Sequence, residues 1–291
     1  MDDTDLNIIR VLSENGRASY EIIAKSTGLT GNAVRNRVQK MMEMGVIDRF
    51  FMCVNPTILG YNIVIAIFEQ SGNDAAFEQL KGLDDTMFVV NALNGVGAAV
   101  FTFKEENWNE RVRKIFRRVK SAKLVLTFLY QKPSTDTQMG KIDWGIVESL
   151  KDNVRKPVHD IANELKISAK TVKRHLDKLT EAGILQPMAL IQPMRMEHII
   201  PYYLFIELEA KTEKNKGSPA LNGMFDKYWF KQRIKDSSIL IMQLYAHSFA
   251  EIEENKRPLL QDNRIKNMIF FYPSQIYFSE KYKERMNQTR P

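Results

Sequence analysis

A run of polar side chains between positions 30 and 40 has the residue types that bind nucleic acid. Asparagine and glutamine pair with adenine edges, arginine pairs with guanine, and lysine and arginine contact phosphates. The apolar residues Val34, Val38 and Met41 fall at i, i+4 and i+7, which places them on one face of a helix. The residues with DNA-binding chemistry are Thr30, Asn32, Arg35, Asn36, Arg37, Gln39 and Lys40.

A second predicted helix precedes this one. Residues 19 to 27 predict a short helix, Gly28 permits a tight turn, and Thr30 is a typical N-cap. A helix, a short turn with glycine and a second helix with a polar outer face make a helix-turn-helix. From these residues alone, the alternative is a pair of solvated helices in an ordinary helical domain.

The same pattern recurs 138 residues later in the chain. Residues 5 to 47 align without a gap on residues 143 to 185, with 11 identical pairs among 43 positions. An ungapped repeat that keeps its apolar face indicates one domain built twice. The outer face of the second copy is richer in lysine, which favours phosphate contacts over base edges. Its candidate DNA-binding residues are Ser168, Lys170, Thr171, Lys173, Arg174 and Lys178.

Several short motifs of the first copy are shared with one family. They are Asp5-Leu-Asn-Ile-Ile9, Gly16-Arg17, Ile23-Ala24, Gly28-Leu29-Thr30 and Glu43-Met-Gly-Val-Ile47, followed by Asn55-Pro56 and Leu59-Gly60-Tyr61. With them the chain resembles the Lrp/AsnC (leucine-responsive, feast/famine) transcription regulators, and its duplication suggests a tandem form. The resemblance implies a sequence-specific DNA-binding regulator in which an αβ domain after each helix-turn-helix binds an effector and dimerises.

Residues 61 to 132 predict such an αβ domain. β-Branched and apolar runs alternate with two amphipathic segments in the order β-α-β-β-α-β, the split βαβ pattern. After position 200 the order is less clear, and no strand can be placed between residues 230 and 236. The other segments predicted there are strands at 202–210, 238–247 and 268–278, a short helix near 224–230 and a helix at 249–262.

The predicted fold is α+β, with two winged helix-turn-helix domains alternating with two ferredoxin-like αβ sandwich (βαββαβ) domains. The predicted domains are residues 1–56 (helix-turn-helix 1), 57–135 (αβ sandwich 1), 136–193 (linker and helix-turn-helix 2) and 194–291 (αβ sandwich 2). Isologous dimers are the commonest assembly, so we expect a homodimer with four DNA-binding units on double-stranded DNA.

The predicted hairpin near position 95 is the candidate effector site. In the resembled family the effector pocket lies around this hairpin, where a Gly-x-x-Asp run is usual. Here Ala98 occupies the acidic position, so the carboxylate that would pair with an amino acid's ammonium is missing. The candidate contacts for an amino acid or other metabolite are Asn94, Gly95, Gly97 and Ala98. The alternative is that both glycines serve only the turn.

Catalysis has little support in the sequence. The histidines have no metal-ligand spacing, and no phosphate-binding loop or dinucleotide motif occurs. Some proteins with this pairing of domains, also found as fused pairs, resemble siroheme decarboxylases, which carry a His-Asn-Tyr-type run on the strand before the hairpin. Residues 88–93, at that place, contain no histidine. We predict a protein that is not an enzyme and has no cofactor or metal; the alternative is a decarboxylase-like enzyme or a metabolite-binding module.

Composition sets the remaining limits. No run of 18 apolar residues occurs, the acidic start is unlike a signal peptide, and Cys53 is the single cysteine, so we expect a cytoplasmic protein without a disulfide. The net charge is +7, yet residues 1–56 hold 7 basic and 7 acidic side chains. Much of the excess lies in a predicted helix over residues 105–122, whose basic face is either solvated or touches DNA or an acidic partner.

Overall fold

The computed structural model describes residues 1–70, 74–104, 106–131, 139–209, 228–233 and 238–288. Its helices are α1 (Asp3–Glu14), α2 (Tyr20–Thr27), α3 (Gly31–Glu43), α4 (Ala75–Lys81), α5 (Trp108–Arg118), α6 (Lys141–Ser149), α7 (Val158–Leu165), α8 (Ala169–Glu181), α9 (Phe249–Leu260) and α10 (Glu280–Gln288). Its strands are β1 (Ile47–Val54), β2 (Asn62–Gln70), β3 (Thr86–Ala92), β4 (Val96–Phe103), β5 (Ala122–Gln131), β6 (Leu185–Ile191), β7 (Ile200–Leu208), β8 (Tyr228–Arg233), β9 (Ile239–Ala246), β10 (Ile265–Phe271) and β11 (Pro273–Phe278). No helix in these ranges has the length and apolar character needed to cross a membrane.

Side-chain caps set the turn in each helix-turn-helix. Thr30 caps α3 by accepting a hydrogen bond from the Ala33 backbone N–H at 3.2 Å, and Ser168 caps α8 from Thr171 at 3.0 Å. In the first copy the left-handed turn position is Gly28, with φ of 71°. In the second copy Lys166 takes that conformation, with φ of 55°. The two predicted helix-turn-helix units are therefore present, and the second helix of each begins at the same kind of side-chain cap.

Two antiparallel sheets follow the same strand order. The first runs β11-β3-β4-β2-β5 and the second runs β10-β7-β9-β8. Without β11, both have the 4-1-3-2 order of a ferredoxin-like βαββαβ unit, which confirms the predicted α+β fold. The segment between β7 and β8, where the second unit has its first crossover, lies largely outside the described residues, as do residues 132–138 of the predicted linker.

The two sheets pack face to face and carry helices on their outer faces. Along β2, Val64 and Phe68 point toward the core shared with α4 and α5, whereas Ile65 points toward the other sheet. Because successive side chains alternate across a strand, a β-branched run that is buried on both faces fits this position. The facing layers meet where Phe128 and Phe205 lie 6.2 Å apart between ring centroids. The order of layers is helix, sheet, sheet, helix.

The strands that follow the two helix-turn-helix units pair with each other. β1 and β6 are antiparallel, with Phe50 opposite Ala189 and Phe51 opposite Met188. In the 138-residue repeat, Met188 is the counterpart of Phe50 and Ala189 that of Phe51. The register therefore maps onto itself when the copies exchange places, so the two copies are related by a pseudo-two-fold axis through this ribbon. The strand that follows each helix-turn-helix therefore joins the two copies through this ladder.

Arg17 and its counterpart Arg155 repeat this symmetry. Arg17 donates hydrogen bonds to the backbone carbonyls of Val154 and, at 3.0 Å, Lys156. Arg155 donates to the carbonyls of Gly16 and, at 3.0 Å, Ala18, which are the counterparts of those acceptors. Each copy thus holds the other by the same pair of charged hydrogen bonds, an isologous contact inside one chain.

Two predictions for the last hundred residues are corrected. The helix predicted near residues 224–230 is wrong for residues 228–230, which belong to strand β8. Residues 224–227 lie outside the described part of the chain. The strand predicted over 268–278 is two strands, because Pro273 lacks a backbone N–H and interrupts the ladder. β10 stays in its own sheet, and β11 crosses to pair with β3 of the first copy.

Candidate nucleic-acid interface

The outer face of α3 presents most of its predicted contact residues to solvent. Asn32, Arg35, Asn36, Gln39 and Lys40 are exposed, while the buried face packs into the core. The Gln39 amide donates to Glu43 at 3.0 Å, one turn further along the helix. Thr30 is exposed, with its hydroxyl oxygen accepting the cap hydrogen bond. Two amides and a guanidinium are therefore exposed along the first two turns of α3. This is the region that enters the major groove in a helix-turn-helix complex.

Arg37 differs from the other predicted contact residues. Its guanidinium forms ion pairs of 2.9 Å with Asp2 and with Asp5, at the start of α1. The hydrogen bonds that its guanidinium donates to Asp5 and then to Asp2 raise the pKa of Arg37 above its usual value. These contacts hold α3 against α1, so the structure assigns Arg37 to packing between the helices. We remove it from the set that points toward DNA.

The outer face of α8 is more densely charged. Lys170, Lys173, Arg174 and Lys178 are exposed. Lys173 forms an ion pair of 2.6 Å with Asp177, and this hydrogen bond raises the pKa of the lysine. Ser168 and Thr171 are joined by a hydroxyl hydrogen bond of 2.8 Å at the start of the helix.

The repeat places the two sets of side chains at matching positions. Asn32, Arg35, Asn36, Gln39 and Lys40 correspond to Lys170, Lys173, Arg174, Asp177 and Lys178, in that order. Every amide of α3 is thus replaced by a charged group in α8. Amides accept and donate in the bidentate pattern of an adenine edge, whereas lysine and arginine, besides pairing with guanine, bind phosphates regardless of sequence.

One contact that the sequence did not predict lies at the position of Arg37. Its counterpart in the second copy is His175, whose Nδ1 lies 2.6 Å from Oδ1 of Asp143. Asp143 is the counterpart of Asp5, so both copies tie the reading helix to the same acidic position of the first helix. The identity of Asp5 and Asp143 in the repeat was the available signal, but the partner side chains differ in type.

The predicted effector site around the hairpin is filled by the protein. Asn94 donates to the Phe270 carbonyl at 3.0 Å, and Ala98 is 5% exposed in the core between the sheets. Gly95 has φ of 73° and serves the turn. A Cβ on Gly97 would lie 2.4 Å from Cζ of Phe68, so Gly97 is required for a close approach. Gly97 and Ala98 are thus buried, whereas Asn94 is exposed at the tip of the hairpin.

A small recess lies between the two sheets. A cavity of about 10 Å³ lies there, lined in part by Leu126, Phe205 and Ile269, and such a volume holds at most one water molecule. Within the described ranges, no three histidine, cysteine, aspartate or glutamate side chains lie close enough to hold a metal ion.

Comparison with known proteins agrees with this architecture. An AsnC-type helix-turn-helix domain model matches residues 1–42, and a winged helix-turn-helix DNA-binding model matches residues 139–186. The solved structure of the siroheme decarboxylase NirDL superposes with a TM-score of 0.50 and 13% identity, covering 98% of both chains. At that identity the match shows the shared fold, here over both copies.

Curated relatives match the first copy. The chain is 34% identical over 88 residues to the HTH-type transcriptional regulator Ptr1 of Methanocaldococcus jannaschii, which is 29% of this chain and 60% of that one. It is 40% identical over 67 residues to FL11 of Pyrococcus furiosus, covering 23% and 44%. It is 33% identical over 89 residues to LrpA of Pyrococcus horikoshii, covering 31% and 63%. The matches thus span less than two thirds of these relatives, all named as HTH-type transcriptional regulators. The first helix-turn-helix is thus of the AsnC type, and the chain is similar there to these regulators.

Proposed function

We propose that this chain is a sequence-specific DNA-binding transcription regulator whose two reading helices contact two half-sites of one operator. The observation that carries the proposal is the pair of capped, outward-facing helices, α3 and α8, related by the pseudo-two-fold axis. Helix-turn-helix dimers use the same arrangement, with half-sites about 34–36 Å or a multiple of that apart. Relatives of the first copy are named as transcriptional regulators, which supports this reading.

The two half-sites are expected to differ in what is read. Asn32 and Asn36 suit adenine, and Arg35 suits guanine, so the α3 half-site carries most of the sequence preference. Lys170, Lys173, Arg174 and Lys178 suit phosphates, so α8 anchors the protein with little base selection. The proposed operator is therefore not a perfect palindrome.

The chain provides both halves of a two-fold arrangement by itself. A second chain is not needed to contact two half-sites, and the proposed homodimer would contact four. We also place the protein in the cytoplasm, where a regulator of this kind meets its DNA.

A small-molecule effector remains part of the proposal, with a structural condition. Entry at the hairpin requires movement of Phe68 or loss of the Asn94–Phe270 hydrogen bond, because both fill the site. An effector that binds there would thus change the packing of Phe68 against α4 and α5, or the hydrogen bond of the hairpin to β10.

The test is fluorescence anisotropy with the purified protein, a duplex from its own upstream region and a random duplex of equal length, across a salt series. Tighter binding to the upstream duplex supports the regulator, provided that the affinity falls with salt concentration on a slope that corresponds to several phosphate contacts. Equal binding to both duplexes, with and without a panel of amino acids, contradicts sequence-specific regulation.

A siroheme-decarboxylase-like enzyme is the second candidate, favoured by the whole-chain likeness in fold to NirDL. Two features argue against it. Strand β3, before the hairpin, has the sequence TMFVVNA without histidine, and its counterpart β8 has none in YWFKQR. A visible absorption band from a tetrapyrrole bound by the purified protein would favour the enzyme over the regulator.

A further inference from the structure

Helix α5 belongs to neither helix-turn-helix unit and has a basic outer face. Val112 and Phe116 are buried against the first sheet, whereas Arg113, Lys114 and Arg118 are exposed on the opposite side. The helix contains five basic residues and a single acid, Glu110. Lys120, just after the helix, is exposed as well.

Several of these cations have no carboxylate partner in the described part of the chain. Arg111 pairs with Asp85 at 3.0 Å, and Arg117 pairs with Glu110 at 3.5 Å. No ion pair with a described residue occurs at Arg113, Lys114, Arg118 or Lys120. Within the described ranges, these four neighbouring positive charges are therefore not neutralised by a carboxylate of the protein.

The corresponding helix of the second copy shows that the fold does not require this charge. Helix α9 occupies the same outer layer and carries three acids, Glu251, Glu253 and Glu254, against two cations. One of its cations, Lys256, pairs with Glu253 at 3.3 Å. A solvated helix at this position can therefore carry charges of both signs, as in most soluble domains.

We infer that the outer face of α5 binds the phosphates of duplex DNA as a third contact surface, outside the two helix-turn-helix units. This inference rests on the proposed DNA-binding function, which brings a polyanion to the same molecule. The face lacks an exposed large apolar side chain between residues 108 and 118, which disfavours an ordinary protein interface. Arginine and lysine spaced along one helix face suit the phosphate backbone and carry no sequence information.

The experiment compares two double variants that remove the same charge from corresponding helices. One is Arg113→Gln with Lys114→Gln in α5, and the matched control is Lys256→Gln with Arg257→Gln in α9. Binding of each full-length protein to a 40-base-pair random duplex and to the upstream duplex is measured by anisotropy across a salt series. Labelled poly-glutamate serves as an acidic polypeptide.

The α5 variant is expected to bind both duplexes about tenfold more weakly at low salt, with its salt slope reduced by about 1 to 2, because each phosphate contact contributes about 0.9. The preference for the upstream duplex stays unchanged, and the α9 control matches the wild type. Thermal melting of the α5 variant should not change, since Arg113 and Lys114 are exposed.

The possible failures are distinguishable. Wild-type protein that binds neither duplex contradicts the proposed function and, with it, this inference. Wild-type protein that prefers the upstream duplex, with an α5 variant of unchanged affinity and salt slope, overturns only the inference. A loss confined to poly-glutamate also overturns it, in favour of an acidic protein partner.

Discussion

The two helix-turn-helix copies differ where they face outward and agree where they face inward. Val34 and Val172 are identical and fully buried, and the other inward positions keep apolar side chains. On the outer faces, amides in α3 stand where α8 has charged groups. Close packing limits which residues are tolerated at the buried positions. The exposed positions are not limited by packing, so their side chains can vary with what each copy binds. The comparison shows a duplicated domain whose halves keep one fold and differ in the side chains of their outer faces.

The contact of α3 with α1, and the matching contact of α8 with α6, is conserved in part between the two copies. Arg37 reaches two aspartates in the first copy, and His175 reaches one in the second. The acidic position is kept while its partner changes, so the same mechanical role is performed by two different side chains.

The largest effects should come from the buried faces and should be alike in both copies. Met41→Ala in α3 and Leu179→Ala in α8 each remove a nearly fully buried side chain, so each should lower the free energy of unfolding by about 2–5 kcal/mol. Urea unfolding followed by circular dichroism measures the loss. Met42→Ala, at an exposed neighbouring position, should cost less than about 0.5 kcal/mol. A small loss in only one copy would break the equivalence of the two cores.

The next effect tests the contact between the copies. Arg17→Ala and Arg155→Ala each remove two charged hydrogen bonds to backbone carbonyls, with an expected loss of about 1.5–3 kcal/mol. Arg155 also lies 4.8 Å from the Tyr20 ring and 5.1 Å from the Phe50 ring, so its loss should be the greater by about 0.5–1 kcal/mol. The same unfolding assay compares them, and equal losses would show that the ring contacts add nothing.

A third prediction separates the roles of the two outer faces. Arg35→Ala should cost about 1–3 kcal/mol on the preferred duplex and relax selection at one base pair. Lys173→Ala, at the matching position, should weaken all duplexes alike and lower the salt slope by about 1. Anisotropy on a panel of single-base variants distinguishes these patterns, with Arg257→Ala as the control. Equal, uniform losses from Arg35→Ala and Lys173→Ala would remove the proposed division between reading and anchoring.

The smallest effect concerns the strand that joins the copies. Cys53 in β1 has Ile191 as its counterpart in β6. Burial raises the pKa of the Cys53 thiol from 9.0 to about 12. Because the unfolded thiol ionises first as pH rises, the stability from its neutral form is complete below about pH 9 and is lost between about 9 and 12. Thiol labelling at pH 8 should be slow until denaturant is added, and fast labelling of the native protein would contradict the burial.

Much of the fold followed from local patterns. Apolar spacing located α3 and, through the repeat, α8; the cap at Thr30 was confirmed, and the first βαββαβ unit follows the predicted order. The proposed base and phosphate contacts themselves stay predictions.

The features that the sequence did not predict depend on how distant segments meet. The pairing of β1 with β6 and the transfer of β11 to the first sheet are long-range contacts with no local signal. Arg17 and Arg155 were visible as an identical pair in the repeat, but their role follows only once the copies are placed together. Arg37 was assigned to DNA because its partners, Asp2 and Asp5, lie about 30 residues away on another helix.

The crossing of β11 has a consequence for how the protein is made. β11 pairs with β3, and the Tyr282 hydroxyl that follows it donates to the Val54 carbonyl at 2.6 Å. About 180 residues separate β3 from β11, which is roughly 10–40 s of synthesis. During that interval the first sheet emerges from the ribosome with one edge uncovered and Phe51 without its neighbour Phe278. The first copy therefore finishes folding only after most of the second copy has been translated, so the duplicated halves mature as one unit.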